Sequence, residues 1–286
     1  MKIKIWVTFF VIVTVFQAYS EGKMEAVNIQ EIDLDNIQNI NVLYNQWENA
    51  AVYNSPTEQF IIKEYMNRNN RDYYAKTTIS ENTLTLENGN RPFTPLINTF
   101  SARLEVYIPR SYKNTITVKT RHGKIEIPGK FICTNITIEN SSGNILIDVI
   151  DAETIDLKTT SGNITINEVN SLLNAETRSG RIRLNMVKGT VTAKTRSGGI
   201  VCAAGEDAGN LVLETSSGGI TLSLPRTLEF NFSARTSGAL STPFSGSLSR
   251  SEVDKHLAEG IIGEAPDRII QVKAGFGETI KIKWIE

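Results

Sequence analysis

Four acidic residues within one short segment are the candidates in this sequence for catalytic chemistry. They are Asp148, Asp151, Glu153 and Asp156. Enzymes that cleave polysaccharides use a pair of carboxyl groups, or hold Ca²⁺ through acidic side chains beside a basic residue. The positions equivalent to Asp148 in the next two repeats carry Asn167 and Asn185, and asparagine is a typical turn residue. We therefore interpret the segment as a solvated acidic turn, with a polysaccharide lyase or hydrolase as the alternative.

Four arginines form the second group of candidates: Arg178, Arg181, Arg183 and Arg196. Arg178 and Arg196 occupy the same position of successive repeats, and together the four could form a basic patch for an anionic polymer. Glu176 and Asp207 lie nearby in the sequence, however, and charged residues at turns are usually solvated. We therefore expect a solvated corner and keep the polymer site as the alternative.

The residue types on which much enzyme chemistry depends are scarce. The 286 residues include two histidines, His122 and His256, and neither has a partner at the spacing of a known motif. The formal charge of −1 provides no basic field that would attract nucleic acid. We predict no catalytic, cofactor-binding or metal-binding residue, and we expect the protein not to be an enzyme.

Aromatic residues, whose exposed faces often bind sugars, are concentrated outside the middle of the chain. The chain has 8 Tyr, 11 Phe and 3 Trp, yet only Phe131 lies between residues 121 and 222. Most of the N-terminal rings are expected to pack in a core or a cap, because large apolar groups are normally buried. The rings in question are Tyr44, Trp47, Tyr53, Tyr65, Tyr73 and Tyr74.

Residues 1–20 have the organisation of a secretory signal. Lys2 and Lys4 precede an apolar stretch, and Ala18 and Ser20 supply small residues at the −3 and −1 positions of a cleavage site. The stretch is shorter than the ~20 residues that cross a bilayer, which argues against the alternative of a retained anchor. We expect a secreted or otherwise extracytoplasmic protein, in which residues 21–37 form a linker.

A glycine column reveals an internal repeat. Successive glycines are 18 to 20 residues apart, and nearly all of them follow a serine. The column consists of Gly123, Gly143, Gly162, Gly180, Gly198, Gly218 and Gly238. Apolar residues recur seven and five positions before the first six of these glycines and four positions after them, and an apolar residue stands two positions after all seven. Each pair has the period of two of a half-buried strand.

The two pairs are out of phase, so the chain must turn a corner at each Ser-Gly. Glycine suits this corner because it accepts a positive φ at little steric cost. Each coil then consists of two strands and two turns, and it must stack on its neighbours to bury its apolar face. The sequence therefore predicts an all-β protein, a parallel β-solenoid whose regular repeats span residues 116–242. We expect right-handed coiling.

The position four residues before each glycine supports this stacking. Its charge alternates from coil to coil, through Lys119, Glu139, Lys158, Glu176, Lys194 and Glu214, before Ala234 ends the row. Alternation places opposite charges on neighbouring strands and disfavours a slipped register. Cys133 and Cys202 are separated by about three coils at ~4.8 Å each, which is too far for a disulfide. We therefore predict two free thiols.

The flanking segments are expected to cap the stack. Residues 27–115 lack the glycine column but still look like β structure, as in the alternation of Leu104, Val106 and Ile108, and residues 243–286 form a C-terminal cap. Ser249 and Glu252 fit a capping box, so we predict a short helix over residues 249–259, followed by closing strands at 269–274 and 279–284. Without such caps, the exposed edges would polymerise.

The chain resembles the bacterial "putative adhesin" family, a domain of unknown function in secreted and envelope-associated proteins. The resemblance covers residues 38–286. It rests on the units Ser142-Gly143-Asn144-Ile145, Ser161-Gly162-Asn163-Ile164 and Ser217-Gly218-Gly219-Ile220, on Val106-Tyr107-Ile108-Pro109, and on Gly275-Phe276-Gly277. It implies a solenoid and an extracytoplasmic location, and it supplies no catalytic residue. We interpret the protein as a non-enzymatic adhesion, scaffolding or interaction module. Its partner would be an envelope protein or polysaccharide, and a role in envelope-stress signalling is a further alternative.

Overall fold

The computed structural model describes residues 25–92, 100–244, 251–253, 256–264, 266–275 and 277–285. These residues form twenty strands that belong to one sheet, and a single 3-10 turn at Arg71–Tyr73. The proposed signal, residues 1–20, lies outside the described residues. The strands are β1 (Asn28–Ile32), β2 (Asn39–Trp47), β3 (Asn49–Asn54), β4 (Phe60–Met66), β5 (Lys76–Ser80), β6 (Thr83–Glu87), β7 (Ala102–Ile108), β8 (Thr115–His122), β9 (Ile125–Ser142), β10 (Ile145–Ser161), β11 (Ile164–Ser179), β12 (Ile182–Ser197), β13 (Ile200–Ser217), β14 (Ile220–Leu224), β15 (Phe230–Arg235), β16 (Leu240–Ser241), β17 (Ser251–Val253), β18 (Leu257–Ile262), β19 (Ile269–Ala274) and β20 (Ile280–Trp284).

The middle of the chain is a parallel β-solenoid, as the glycine column predicts. Strands β9 to β13 each run through most of one coil, and each pairs in parallel with the next. Equivalent residues stack directly, as Ile145, Ile164 and Ile182 do in successive coils. The apolar columns around each corner are fully buried, which places the core inside the stack.

Each coil contains a third inward position that the sequence interpretation treated as part of a turn. Val149 to Asp151 pair with residues 168–170 of the next coil, so the second connection is itself a paired strand segment. The inward residue at this position is buried in every regular coil. The set is Phe131, Ile150, Val169, Val187 and Ala204. A single apolar residue per coil has no local periodicity, which explains why the two-strand description missed it.

Close stacking at the corner explains the glycine column better than φ does. A Cβ at Gly162 would lie 1.9 Å from the carbonyl oxygen of Gly143 in the preceding coil, although Gly162 does not adopt a left-handed φ. Gly143 has both constraints, with φ of 148° and a Cβ position 2.0 Å from the oxygen of Gly123. Any larger residue would push neighbouring coils apart.

The N-terminal strands continue the stack with additional, partly antiparallel pairing. Strand β2 lies between β6 and β8, and β3 pairs with both β7 and β9. Strand β4 then pairs antiparallel with β7, and β1 pairs antiparallel with β4. Residues 28–32 therefore belong to the sheet and not to a linker, because the open edge of β4 supplies the backbone partners that order them.

The C-terminal strands are inserted into the stack rather than placed at its end. Strand β19 lies between β13 and β15, and β20 lies between β14 and β16. The Gly238 unit is therefore not stacked directly on the Gly218 unit. Its phase also differs by one residue, because Ala234 is fully buried and pairs with Val272. The expected outward position of Ala234 is wrong, and Lys273 follows Glu214 in the outward row.

The predicted helix over residues 249–259 is wrong. Ser251–Val253 and Leu257–Ile262 are strands, and β18 pairs antiparallel with β15 from Phe230–Ile262 to Arg235–Leu257. Ser249, which would cap the helix, lies outside the described residues. Local capping signals are weak compared with the hydrogen bonds that the unpaired edge of β15 offers, so the edge determines the local structure.

Candidate functional site: a charged groove along the stack

A row of alternating charges runs up the outer surface of the solenoid, in the register that the sequence predicts. Lys119 and Glu139 form an ion pair of 3.1 Å across neighbouring coils, and so do Lys194 and Glu214. Lys158 departs from this pattern, since its ammonium pairs at 3.0 Å with Asp156 of its own strand. We call this row the charge ladder, and its members are Lys119, Glu139, Lys158, Glu176, Lys194, Glu214 and Lys273.

Two adjoining open grooves follow the charge ladder, and we refer to the two together as the groove. Their volumes are about 930 and 460 Å³, and they share Glu176 and Arg178. All their lining side chains are polar or charged. The cations are Lys119, Arg121, Lys158, Arg178, Lys194, Arg196 and Lys273, and the acids are Glu139, Glu176 and Glu214. Seven cations against three carboxylates give this surface a formal charge of +4, although the whole chain carries −1.

A buried row of hydroxyl groups forms part of the groove lining. The hydroxyl of Thr177 donates a hydrogen bond of 3.0 Å to the carbonyl of Gly162, and Thr195 donates one of 3.1 Å to Gly180. Thr215 repeats the contact with Gly198 at 2.9 Å. These bonds satisfy corner carbonyls that the tight stacking would otherwise leave without a partner. The sequence did carry this signal, because threonine recurs three residues before most glycines of the column.

The arginine candidates meet at one corner of the stack. Arg178 and Arg196 lie side by side in the groove, since their flanking residues Ser179 and Ser197 are register partners. Arg181 and Arg183 follow the Gly180 corner and are exposed on the next segment of the coil. The structure therefore brings all four into neighbouring positions. Glu176 is the only acid of the coil that lines the groove beside Arg178.

The side chains of the acidic turn contact amides of the following coil. Asp148 accepts a hydrogen bond of 2.9 Å from Asn167, whose own carbonyl oxygen accepts one of 2.9 Å from Asn185. Asp151 and Asp156 likewise accept amide hydrogen bonds from the following coil, at 3.3 and 3.1 Å. These carboxylates thus belong to polar ladders that align the coils. The described residues contain no group of acidic, histidine or cysteine side chains arranged to hold a metal ion.

A buried ion cluster in the N-terminal coils was not predicted. Arg91 forms ion pairs with Glu48 and Glu64, all three being almost completely buried. Glu64 also accepts hydrogen bonds from the Tyr44 hydroxyl at 3.1 Å and from the Ala75 amide at 2.7 Å. Burial raises the pKa of Glu48, and the nearby Arg91 partly opposes this shift. Glu48, Glu64 and Arg91 are far apart in the sequence, so no sequence motif predicts the cluster.

The aromatic candidates divide into buried and surface groups. Tyr44 is fully buried, and burial is the main reason why its pKa is raised. Tyr53 is partly exposed and stacks on Tyr107 with ring centroids 5.1 Å apart. The hydroxyls of Tyr107 and Tyr65 both donate to Glu105, at 2.8 and 2.9 Å. These rings are held by their own network, and no aromatic ring is among the described side chains that line the groove.

The remaining candidates have structural surroundings. Cys133 and Cys202 are free and buried, which confirms the predicted thiols, and burial raises the pKa of each to about 12. A ring nitrogen of His256 lies 2.9 Å from the carbonyl oxygen of Gly238. Burial lowers the pKa of His122, which stands where other coils carry the serine of Ser-Gly.

Comparison with known proteins places this architecture in a family. The model of the family described as Toastrack DUF4097 matches residues 30–274. The chain belongs to this family. Among solved structures, a "putative adhesin" from Bacteroides fragilis is 14% identical with a TM-score of 0.50, and covers 90% of this chain and 96% of its own. A "putative adhesin" from Parabacteroides distasonis is 12% identical with a TM-score of 0.44, over 90% and 96% of the two chains.

No curated protein matches the chain. At these identities, the likeness to the Bacteroides fragilis protein concerns the fold and not the ligand. The Toastrack fold confirms the resemblance that the Ser-Gly-x-Ile units indicate. None of the helices among the described residues is long and apolar enough to cross a membrane.

Proposed function

We propose that this Toastrack protein is a non-enzymatic, extracytoplasmic interaction module that holds a partner against the outer surface of its stack. The long groove beside the charge ladder carries the proposal, because it is open, polar and continuous over neighbouring coils. Such a surface can contact an extended partner at several coils at once. The description of the Bacteroides fragilis fold neighbour as a "putative adhesin" supports the same interpretation.

The chemistry of the groove favours binding over turnover. Hydrolysis or elimination requires an acid or base whose pKa is matched to its task, usually in a cleft that excludes water. The carboxylates of Glu139 and Glu214 in the groove are instead partly exposed to water and engaged in ion pairs. The carboxylates of Asp148, Asp151 and Asp156 in the acidic turn accept hydrogen bonds from amides of the following coil. We therefore propose that any bound polymer is released without chemical change.

A binding panel with a simultaneous assay for products tests this proposal. The purified protein is incubated with cell-envelope preparations and isolated envelope polysaccharides, and bound protein is measured together with released reducing ends and unsaturated products. We expect saturable binding to at least one preparation and no product above the protein-free control. Product release that depends on the protein would contradict the non-enzymatic function. Absence of binding to every preparation would contradict an adhesive one.

A further inference from the structure

Two arginines break the rule that the charge ladder obeys. Thr177 is the register partner of Thr195. Arg178 and Arg196, one residue further along, therefore lie on neighbouring strands with Cα atoms ~4.8 Å apart. Like charges directly opposite each other destabilise a sheet. Within the regular coils, the ladder in the adjacent outward row avoids this arrangement, although beyond them Lys273 lies opposite Arg235 of β15. The arginine pair inside the regular coils therefore needs another explanation.

The pair has no compensating acid among the described residues. Neither Arg178 nor Arg196 forms an ion pair with a carboxylate there. The nearest ladder acids are Glu176 and Glu214, and Glu214 is engaged by Lys194 at 3.1 Å. Much of the groove's excess charge is thus concentrated at two adjacent guanidinium groups, which present planar forks of hydrogen-bond donors.

The backbone beneath the pair is held firmly. Thr177 and Thr195 directly precede the two arginines, and both are buried while they bond to corner carbonyls. The corner amide of Gly180 donates to Ser197 at 3.0 Å, which ties the two coils together just beyond the pair. The bases of both arginines are therefore fixed before any ligand arrives, which lowers the entropic cost of binding.

Basic residues continue on the far side of the corner. The backbone amide of Arg181 donates to the Asn163 side chain at 2.8 Å, and Arg183 is the register partner of Val201. Both arginine side chains are exposed. A cationic surface therefore extends from the groove around the corner of this coil.

We propose that Arg178 and Arg196 form the anion site of a groove that binds a carboxylate-bearing polysaccharide. This inference rests on the proposed function and names its ligand class. Planar guanidinium forks match carboxylates in bidentate geometry, and an anion between the arginines relieves their repulsion. A linear polymer fits because the cations recur along the stack, from Lys119 to Lys273.

Other polyanions fit this surface less well. Proteins that bind single-stranded nucleic acid stack its bases on aromatic side chains, and helices that bind membranes insert apolar ones. Neither kind of residue is among the described side chains that line the groove. A sugar polymer needs only charge complementarity and hydrogen bonds, which the lysines, arginines and threonines of the groove supply.

The test uses polygalacturonate as the probe and its methyl ester as the matched neutral polymer. The double variant Arg178→Thr/Arg196→Ser replaces the arginines with residue types that the same column carries at Thr160 and Ser216. We expect the purified protein to bind polygalacturonate and not the ester. The double variant should bind on the order of tenfold more weakly or worse, which corresponds to the loss of about one strong charged contact. Binding should also weaken as salt rises.

A charge-matched control separates the site from general attraction. Lys281 and Lys283 are exposed, lie outside the groove, and pair with Thr221 and Ser223 of β14. The control variant Lys281→Thr/Lys283→Ser also removes two positive charges, and its new residues are the types that β14 carries at the paired positions. This variant should bind polygalacturonate as tightly as the unchanged protein does. Equal weakening by both double variants would overturn the site, as would equal binding of the ester. Unfolding curves verify that both variants fold.

Further outcomes distinguish this inference from the proposed function. Tighter binding to oligothymidylate, or to phosphatidylserine vesicles, than to polygalacturonate would overturn the polysaccharide assignment. Failure to bind polygalacturonate would also overturn it, and binding to envelope preparations that the Arg178→Thr/Arg196→Ser variant retains would then leave the interaction module standing. If the protein binds none of these materials, both proposals fail together.

Discussion

Gly162→Ala tests whether close stacking of the coils is what requires the glycine column. The new Cβ would lie 1.9 Å from the Gly143 oxygen, whereas close C···O contacts are about 3.3 Å or longer. The corner would have to open by more than an ångström. That movement would disrupt the bond from the Gly143 amide to the Ser161 oxygen, 3.1 Å, and the weaker one from Thr159 to the Gly143 oxygen, 3.4 Å.

The expected cost follows from these contacts. Two hydrogen bonds at roughly 1 kcal/mol each, with about 1–3 kcal/mol of strain from overpacking, give a loss of about 3–5 kcal/mol in the free energy of unfolding. Urea unfolding followed by circular dichroism measures this loss, provided that the slope m is unchanged.

Gly129→Ala is the matched control for Gly162→Ala. Gly129 has a left-handed φ of 75° and nothing within 4 Å of its Cβ position, so it has the conformational constraint without the steric one. Its replacement should cost only about 1–2 kcal/mol. A cost for Gly162→Ala below about 1 kcal/mol, or no larger than that of the control, would refute close stacking as the reason for the column.

Three further predictions concern charge, protonation and thiols. Glu176→Lys would place like charges on three neighbouring strands, at Lys158, residue 176 and Lys194. It should lower the free energy of unfolding by about 1 kcal/mol at low salt and by less at high salt. An unchanged urea midpoint at low salt would contradict the register. Because the pKa of Glu48 is raised in the folded state, its contribution is fully present below its unfolded pKa and is lost as the pH rises through the folded pKa. Glu48→Gln should therefore reduce the fall in the free energy of unfolding as the pH rises above about 4.5. Parallel pH profiles of this free energy in the variant and the unchanged protein would contradict the raised pKa of Glu48. Thiol titration of the unreduced protein after unfolding should count two free cysteines per chain. Both should react much more slowly in the folded protein, because each thiol is buried and has a pKa raised to about 12. Rapid reaction of Cys202 in the folded protein would refute its inward position.

The regular coils were readable from the sequence because stacking forces equivalent residues into equivalent environments. Ile145, Ile164 and Ile182 report the same buried column three times, and the alternation from Lys119 to Glu214 reports the register independently. Repetition therefore amplified signals that would be ambiguous in a single strand. The solenoid and the charge ladder could be predicted for this reason.

The parts without repetition were not readable. Strands β18 and β19 owe their positions to open edges far away in the sequence, and local capping signals suggested a helix where β18 lies. The ion cluster of Arg91, Glu48 and Glu64 likewise joins separate elements in space. The arginine pair lay between these extremes. Its shared column was visible in the sequence. The groove, and the lack of an ion-pairing acid among the described residues, became apparent only with the strands in register.

Lysine footprinting with and without polygalacturonate tests most directly whether the groove is the contact surface. The protein is acetylated briefly under both conditions, and the modification of each lysine is measured by mass spectrometry. The account predicts that bound polymer protects Lys119, Lys158, Lys194 and Lys273, which line the groove, while Lys281 and Lys283 react as before. Protection of Lys281 and Lys283 with undiminished reaction in the groove would contradict it.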